Sequence, residues 1–375
     1  MFFNQVVGQA QLKEQLMENV NKQRVSHAQL FHGPEGSGNL ALALAYAQYL
    51  FCQQKGNDSC GTCSSCLKMK NLQHPDLHFS FPIFSKKATP NSQSFRSDWV
   101  NAVTENPYLS ENDWYNHLGE EKKQGLIGKD ESLYILKRLS LKSFEGAHKI
   151  MLIWLPERMN ATAANKLLKI IEEPPQKTVF LLVCHAYEQL LPTIISRVQL
   201  VKLKRLSNEV ISQQLQLQGL NQTQADGLAK IVDGNWLEAI KQSNHQATDK
   251  DYLVLFREWL LYCFKKEISE LVTWCDSTNG LGRETLKQFL KYGLHLIRQS
   301  VLKHYVGEEL NQATDKEDEF LHKFHRYINE QNVLLFAAGF EDAITHIMRN
   351  ANAKIVLLDL SLKMCVYIHK GTVKN

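Results

Sequence analysis

The chain of 375 residues is too long for one ordinary hydrophobic core, and its 44% hydrophobic and 22% charged residues are typical of a globular protein with two or three domains. Lysine and arginine (43) nearly balance aspartate and glutamate (39), so the net charge neither requires nor excludes contact with nucleic acid. No apolar run approaches the roughly 20 residues that span a bilayer, and the start, MFFNQVVGQAQ, does not resemble a secretory signal. We therefore expect a cytoplasmic protein that makes no membrane contact and keeps its thiols reduced.

Short apolar runs alternate with helical patterns through the first two hundred residues. Runs that are apolar almost throughout are typical of central strands in a parallel sheet covered on both faces. They predict strands at 28–32, 77–83, 149–155, 178–183 and 198–203. Helices are predicted at NLALALAYAQYLFC (39–52) and at ATAANKLLKIIEE (161–173), which Pro174 stops. The pattern indicates an α/β domain.

Residues 84–130 interrupt this alternation. The segment SKKATPNSQSF (85–95) is polar and rich in turn residues, and NHLGEEKKQGLIGKDES (116–132) is typical of an exposed loop. We interpret the stretch as an insertion into the α/β domain. The sequence does not indicate its purpose.

The strand pattern stops after Leu206, and helical patterns follow to the end of the chain. Ser207 is the predicted N-cap of a helix that begins NEVISQQL. Wide apolar helical faces then run through DYLVLFREWLLYCFKK, LKQFLKYGLHLIRQSVLKHY and AKIVLLDLSLKMCVYI. The sequence therefore predicts an α/β domain, a small helical domain and a helical C-terminal domain, with bounds at 1–205, 206–246 and 247–375.

The stretch HGPEGSGNLALA has the outline of a phosphate-binding loop, which reads G-x-x-x-x-G-K-[ST]. Gly33 and Gly38 have the required spacing, with Gly36 between them, but Asn39 and Leu40 occupy the Lys and Ser/Thr positions. A neutral amide cannot offset phosphate charge, and leucine cannot bind Mg²⁺. The segment is either a tight glycine turn or a phosphate loop that has kept only its backbone shape. We expect it to bind no cofactor.

Cys52, Cys60, Cys63 and Cys66 form the pattern C-x7-C-x2-C-x2-C. Four thiolates can hold zinc tetrahedrally and leave no position open for water, so the predicted metal is structural. The polar loop GNDSCGTCSSC has almost no apolar content of its own, and a metal would hold it. A redox pair, an iron–sulfur cluster and unliganded thiols are the alternatives. The remaining cysteines have apolar surroundings and are predicted to be core residues: Cys184, Cys263, Cys275 and Cys365.

Several segments, in this order and spacing, resemble the bacterial DNA polymerase III clamp-loader branch of the AAA+ family. These segments are VVGQ (6–9), SHAQLFHGPEGSG (26–38), NKLLKIIEEPP (165–175) and LPTIISR (191–197). The resemblance is dense over residues 1–76 and 132–205. It implies an AAA+ α/β domain with a zinc loop at 52–66, followed by a small helical lid domain and an all-α collar domain that joins subunits.

The same resemblance implies that catalytic groups are missing. Active relatives end the strand before the NxLLKxxEEPP helix with an Asp-Glu pair, which Trp154 and Leu155 replace here. The segment DGNWLEAI resembles sensor 2, where active members place an arginine and this chain has Leu237. Since none of the three can bind a metal, polarise water or offset phosphate charge, we expect no ATP hydrolysis.

One catalytic part of the family pattern remains. Ser196 and Arg197 match a Ser-Arg-Cys motif, with Val198 in place of the cysteine. The resemblance implies that Arg197 is an arginine finger, presented to the ATP of a neighbouring subunit to stabilise the transferring phosphoryl group. The alternative is an ordinary surface arginine. Lys166 and Lys169 are likewise either a solvated helix face or phosphate contacts.

The resemblance therefore implies a non-catalytic member of a hetero-pentameric ring that loads a sliding clamp onto primed DNA. Its partners would be the clamp-loader ATPase subunits and a delta subunit, with clamp and DNA reached through the complex. Two alternatives stay open. A clamp-loader ATPase with a variant site would bind and turn over MgATP. A stand-alone zinc-dependent nucleic-acid-binding protein would bind DNA in a salt-sensitive way without partners.

Overall fold

The computed structural model describes residues 1–84, 91–120, 124–145, 148–245, 252–305, 315–349 and 351–370. The chain divides into two compact units, Met1–Ser243 and Asn244–Asn375. The predicted division of the first 246 residues into an α/β domain and a lid domain stays a prediction.

Five parallel strands in the described residues form one sheet in the first unit, in the order β2-β3-β4-β1-β5. Their bounds are β1 (Ala28–His32), β2 (Leu77–Ser80), β3 (Lys149–Trp154), β4 (Thr178–Cys184) and β5 (Gln199–Lys202). The predicted parallel sheet is therefore confirmed. Strand β2 ends three residues early, before Pro82, which has no N–H to donate to a neighbouring strand.

Both faces of the sheet are covered by apolar residues, as the uniform strand pattern predicts. Phe31 and Leu152 point into one core cluster, while their neighbours Leu30 and Met151 point into another on the opposite face. Side chains alternate along a strand, so both sets are buried only because helices cover both sides.

The helices that begin in the first unit are α1 (Ala10–Asn21), α2 (Asn39–Phe51), α3 (Ser64–Lys70), α4 (Arg96–Glu105), α5 (Glu111–His117), α6 (Lys129–Ser140), α7 (Ala161–Glu172), α8 (Pro192–Ile195), α9 (Asn208–Leu217), α10 (Gln222–Ile231) and α11 (Trp236–His245). Helices α2 and α7 lie where the sequence predicts them. The Asn160 side chain caps α7 by accepting from Ala163 N–H at 2.8 Å. Ser207 caps α9 in the same way, as predicted.

The described part of the insertion contains helices at 96–105 and 111–117, which the sequence did not predict, while residues 118–120 and 124–128 are not helical, in agreement with the predicted loop. Helix α6 begins at Lys129, inside the predicted loop, whereas residues 85–90 and 121–123 lie outside the described residues. Trp99 and Trp114 are fully buried, and the Trp99 ring stacks on Phe81 with 4.4 Å between ring centroids. These aromatic side chains supply the apolar area that folds α4 and α5 onto the sheet.

The second unit is helical in its described part. Its helices are α12 (Tyr252–Lys265), α13 (Ile268–Asn279), α14 (Arg283–Tyr305), α15 (Asp315–Phe324), α16 (Val333–Met348) and α17 (Ala353–Tyr367). Phe256, Trp259 and Phe289 are fully buried at its centre. The four cysteines predicted to be core residues are buried in their respective units. No helix within the described ranges has the length and apolarity needed to cross a membrane.

Candidate functional site

The glycine loop connects the carboxyl end of β1 to the amino end of α2, where phosphate-binding loops lie. Gly36 and Gly38 have positive φ angles of 78° and 94°, which glycine adopts without strain. Gly33 is closely surrounded, since a Cβ there would lie 2.8 Å from both Leu203 Cβ and Ser37 Oγ. The segment therefore has the glycines and the strand-to-helix position that are typical of a phosphate loop.

Asn39, at the position of the phosphate-binding lysine, is turned into the protein. Its side chain is 2% exposed, and its Nδ2 donates to the carbonyls of Gly33 (2.7 Å) and Cys184 (3.2 Å). The Oδ1 atom accepts from Ser37 Oγ at 3.0 Å. Asn39 thus joins the loop to the end of β4. Leu40, at the hydroxyl position, is buried in the core.

Protein atoms cover the outer side of the loop. A Cβ built on Gly36 would lie 1.9 Å from Asn235 Oδ1, and the Gly36 carbonyl accepts from Trp236 N–H at 3.2 Å. A Cβ on Gly38 would lie 3.2 Å from the ring of Tyr108 in the insertion. Glycines in phosphate loops allow a close approach of phosphate to the backbone. Here the groups that approach are side chains of the same chain.

The positions matched to the metal-binding acids carry no ligand for Mg²⁺. Trp154 is fully buried, and Leu155 adopts a left-handed conformation with a φ of 55°. Glu157, the nearest carboxylate in sequence, accepts backbone N–H bonds from His185 (2.9 Å) and Ala186 (3.1 Å) through Oε1. It therefore anchors the loop after β4.

Leu237, at the sensor-2 position, is 1% exposed and belongs to the core of the first unit. With Asn39, Leu40, Trp154 and Leu155, it completes a set of five uncharged side chains at the positions where the family pattern places a lysine, a hydroxyl, an acidic pair and an arginine. The residues present therefore include none of the usual ligands of a magnesium nucleotide, and Asn235 and Tyr108 lie against the glycines of the loop.

Arg197 lies away from the glycine loop. It lies in the turn before β5, whose first residue Gln199 is paired with Gln29 near the amino end of β1, whereas the glycine loop follows the carboxyl end of β1. The guanidinium donates from Nε to Glu172 Oε2 (2.7 Å) and from Nη1 to the Thr193 carbonyl (2.9 Å). A second contact runs from Nη1 to Ser196 Oγ at 3.3 Å.

The guanidinium of Arg197 is held in one position but stays accessible. Its side chain is 30% exposed, and that of Glu172 is 56% exposed. Glu172 is the last residue of α7, the helix of the NKLLKIIEEPP motif. The ion pair therefore joins α7 to the segment that carries Arg197. The geometry leaves the remaining guanidinium N–H groups at the surface of the first unit.

The four predicted metal ligands lie together. The sulfur atoms of Cys52, Cys60, Cys63 and Cys66 are all within 4.8 Å of one another. The sulfurs of Cys60 and Cys66 are 3.9 Å apart, close to the separation in a tetrahedron of Zn–S bonds of about 2.3 Å. Cys52 and Cys66 are buried, whereas the other two are half-buried.

The backbone around the cluster favours thiolates. Cys60 N–H points at the Cys52 sulfur (3.3 Å), and Cys63 N–H points at the Cys60 sulfur (3.4 Å). The N–H groups of Cys63 and Thr62 lower the pKa of the Cys60 thiol to about 6, whereas burial raises the pKa of the Cys52 and Cys66 thiols. The donor set and its spacing therefore fit a structural zinc ion.

The cysteine loop also holds the amino terminus and the loop before β3. The Asp58 carboxylate accepts from the backbone N–H groups of Phe3 (3.2 Å) and Asn4 (3.0 Å). On α3, next to the cluster, Lys68 forms an ion pair with Glu145, whose other oxygen lies 3.2 Å from Nε2 of the buried His74. The cysteine loop and α3 are therefore joined by polar contacts to the amino terminus and to the segment before β3.

Sequence reasoning did not find the residues that cover or orient the site. Tyr108 belongs to no motif. Asn235 lies in the segment DGNWLEAI and Glu172 in the helix NKLLKIIEEPP, but neither pattern indicates the contact that its side chain makes. The pairing of Asp113 with Lys241, 128 positions apart, has no sequence signal either. Lys166 and Lys169 are exposed on α7, which leaves both of their interpretations open.

The fold and the site define a class of protein. It combines a parallel α/β domain, a glycine loop without charged catalytic groups and a four-cysteine cluster. The chain belongs to the family described as DNA polymerase III, delta subunit, whose model matches residues 8–207, more than half of the sequence.

Individual relatives agree with this family. DNA polymerase III subunit delta' of Bacillus subtilis (strain 168) is 30% identical over 237 residues, which are 63% of this chain and 60% of that protein. The subunit delta' of Yersinia pestis is 34% identical over 186 residues, or 49% of this chain and 43% of the relative. The matched segment thus spans less than two thirds of either relative. A gamma subunit-related protein of Thermotoga maritima aligns structurally over 96% of this chain and 100% of its own, at 17% identity and a TM-score of 0.42.

Proposed function

We propose that the chain acts as the delta-prime subunit of a DNA polymerase III clamp loader. In this role it is a non-catalytic member of a hetero-pentamer with ATPase subunits and a delta subunit. The assembly loads the sliding clamp onto primed DNA during replication, in the cytoplasm. The chain reaches the clamp and the DNA through the complex.

The observation that carries the proposal is the combination of family membership with a glycine loop that has no catalytic groups. Position 39 in the loop carries no lysine and position 40 carries no hydroxyl. The end of β3 carries no acidic pair. Without these groups, nothing offsets the charge of a triphosphate, holds Mg²⁺ or directs water. The chain therefore contributes to ATP hydrolysis through its neighbours.

Arg197 is the residue that we assign to this contribution, with Ser196 beside it. Its distance from the chain's own loop, its partly exposed guanidinium and its ion pair with Glu172 support a role in trans. On assembly, the guanidinium would face the γ-phosphate of ATP bound to the adjacent subunit. Arginine fingers contribute about 10³–10⁵ in rate at a single site in well-studied enzymes.

The four cysteines would hold one structural zinc ion in this subunit. A site in which protein thiolates fill all four positions has no place for a reacting water, so the metal would stabilise the loop and take no part in chemistry. This assignment is independent of the arginine finger.

The test is the ATPase rate of a loader reconstituted with Arg197→Ala. We expect the clamp- and DNA-stimulated ATPase rate to fall by at least the fraction that one ATP site contributes to it. Size-exclusion chromatography should show that the variant loader still assembles. Arg197→Lys should restore little, because a lysine lacks the planar fork of the guanidinium. The matched control is Arg24→Ala, which removes an exposed arginine outside the motif.

An unchanged rate in the Arg197→Ala loader would refute the finger assignment. Tight binding and turnover of MgATP by the isolated chain would instead favour the variant ATPase. Salt-sensitive DNA binding by the isolated chain, without association with clamp-loader subunits, would favour the stand-alone nucleic-acid binder.

A further inference from the structure

The insertion reaches the glycine loop through Tyr108, which lies between α4 and α5. Tyr108 is 8% exposed, and its hydroxyl oxygen accepts from Val7 N–H at 2.8 Å across 101 positions. A Cβ built on Gly38, the residue that precedes α2, would lie 3.2 Å from the Tyr108 ring and 3.6 Å from a methyl group of Val6. One insertion residue therefore contacts the loop and the segment at 6–7 together.

The same segment binds the helices that follow the sheet. Asp113, three residues into α5, accepts from Lys241 Nζ on α11 at 2.6 Å, and both side chains are 27% exposed. A capping box fixes the carboxylate, since Asp113 also accepts from the N–H and the hydroxyl of Ser110. Because the capping box already fixes the Asp113 carboxylate, pairing with Lys241 costs little further side-chain entropy of Asp113.

Helix α5 is in turn attached to the sheet at two points. Arg158, just after β3, forms a bidentate ion pair with Glu111. The distances from Nε to Oε1 and from Nη2 to Oε2 are both 2.7 Å. Trp114 donates from its indole nitrogen to the carbonyl of Pro82 at 2.9 Å. The insertion therefore spans from the sheet, past the glycine loop, to α11.

We infer that residues 91–120 act as an internal strap that takes the place of a nucleotide, with Tyr108 and Asn235 covering the glycine loop and the Asp113–Lys241 pair holding α11 against it. A nucleotide on a loop of this kind would occupy the space beside the glycines. Here Tyr108 and Asn235 lie against those glycines, and the Asp113–Lys241 pair joins α5 to α11. The strap belongs to this chain alone, whatever its role in a clamp loader.

Hydrogen exchange of the full chain, resolved by residue or short peptide, tests the strap. Tyr108→Phe removes only the hydroxyl, so the Val7 amide loses its acceptor and should exchange at least about ten times faster. Asp113→Asn should increase exchange in α9–α11 several-fold. The matched control is Tyr262→Phe, which removes an exposed hydroxyl bonded to Glu258 in the second unit, outside the strap.

If the strap variants loosen only residues 91–120 and leave residues 6–9 and α9–α11 unchanged, the insertion is an appended module and the inference fails. A second measurement needs no variant. Millimolar MgATP should leave exchange in residues 33–39 of the wild-type chain unchanged. Protection of those residues by MgATP would refute the inference, because the loop would then be open to nucleotide.

Discussion

His78 is a buried histidine among cations. It lies on β2, is 6% exposed, and has Arg138, Lys149 and Arg96 around it, with Asp76 as the opposing charge. Burial and these three cations lower its pKa from the ordinary value near 6.5 to about 4. The ring is therefore neutral in the folded protein over a range of pH in which it is protonated in the unfolded chain.

This difference predicts a dependence of stability on pH. Below about pH 6.5 His78 is protonated in the unfolded chain but still neutral in the folded protein. The free energy of unfolding therefore decreases as the pH falls, until His78 is also protonated in the folded protein near pH 4. The part due to His78 amounts to at most about 3 kcal/mol. We expect His78→Gln to remove that part of the slope in urea unfolding between pH 6.5 and 4.

Because wild type and variant are compared at the same pH, protonation of other groups cancels between them. The exposed His27→Gln should retain the full wild-type slope. Parallel stability curves for wild type and His78→Gln would contradict a neutral His78 in the folded state.

Single residues at the site were predictable where they belong to a local pattern. The neutral side chains at 39, 40, 154, 155 and 237 were found from spacing and family resemblance, and the four cysteines from spacing alone. The contacts of Tyr108 and Asn235 with the glycine loop were not predictable, because they join distant parts of the chain and neither residue type carries a signal for them. Long-range contacts of this kind depend on the three-dimensional packing of the insertion.

At the scale of elements, the insertion depends on an aromatic cluster. Trp114 of α5 lies edge-on to Trp99 of α4 at 5.3 Å and to Phe81 at 5.1 Å, and Trp99 also contacts Trp154 at the end of β3. All four side chains are almost completely buried. The cluster joins α4 and α5 to the sheet edge formed by β2 and β3.

Removing Trp114 should therefore destabilise the first unit. Truncation of a fully buried tryptophan leaves a cavity and an unpaired Pro82 carbonyl, so we expect Trp114→Ala to lower the free energy of unfolding by about 3–5 kcal/mol. Trp114→Phe should cost less, because it keeps most of the ring contacts. Urea unfolding followed by circular dichroism measures both.

Leu133→Ala is the control, since Leu133 is 45% exposed on α6 and should cost no more than about 0.5 kcal/mol. A cost below about 1 kcal/mol for Trp114→Ala would show that the insertion contributes little to the fold.

Elements of the sheet were predicted within three residues at each end, because buried parallel strands have a strong apolar pattern. The insertion was predicted poorly. Its polar composition masked two short helices, whose burial depends on two tryptophans and a capping box rather than on periodicity. Short helices are stabilised mainly by tertiary packing, so local sequence carries little of their signal.

At the scale of the whole molecule, the cysteine cluster lies within one of the two units. We expect purified, reduced protein to contain about one zinc per chain. A strong chelator should then increase hydrogen exchange in the cysteine loop and in residues 1–7, which Asp58 holds, and leave α12–α17 unchanged.

Cys63→Ser should lose the metal, whereas Cys275→Ala, which alters a buried cysteine of the second unit, should keep it. Iron in place of zinc, or no metal in the wild-type chain, would overturn the assignment. An effect of the chelator on both units alike would contradict a local structural role.

Asn39 has a consequence for how this protein could change over evolutionary time. Its amide donates to the carbonyls of Gly33 and Cys184 from a buried position. A lysine there would bring a positive charge into the interior and would gain no room for a nucleotide, because Asn235 and Tyr108 would still lie against the loop. A single replacement of Asn39 by lysine should therefore cost stability without creating a phosphate site, so several positions would have to change together.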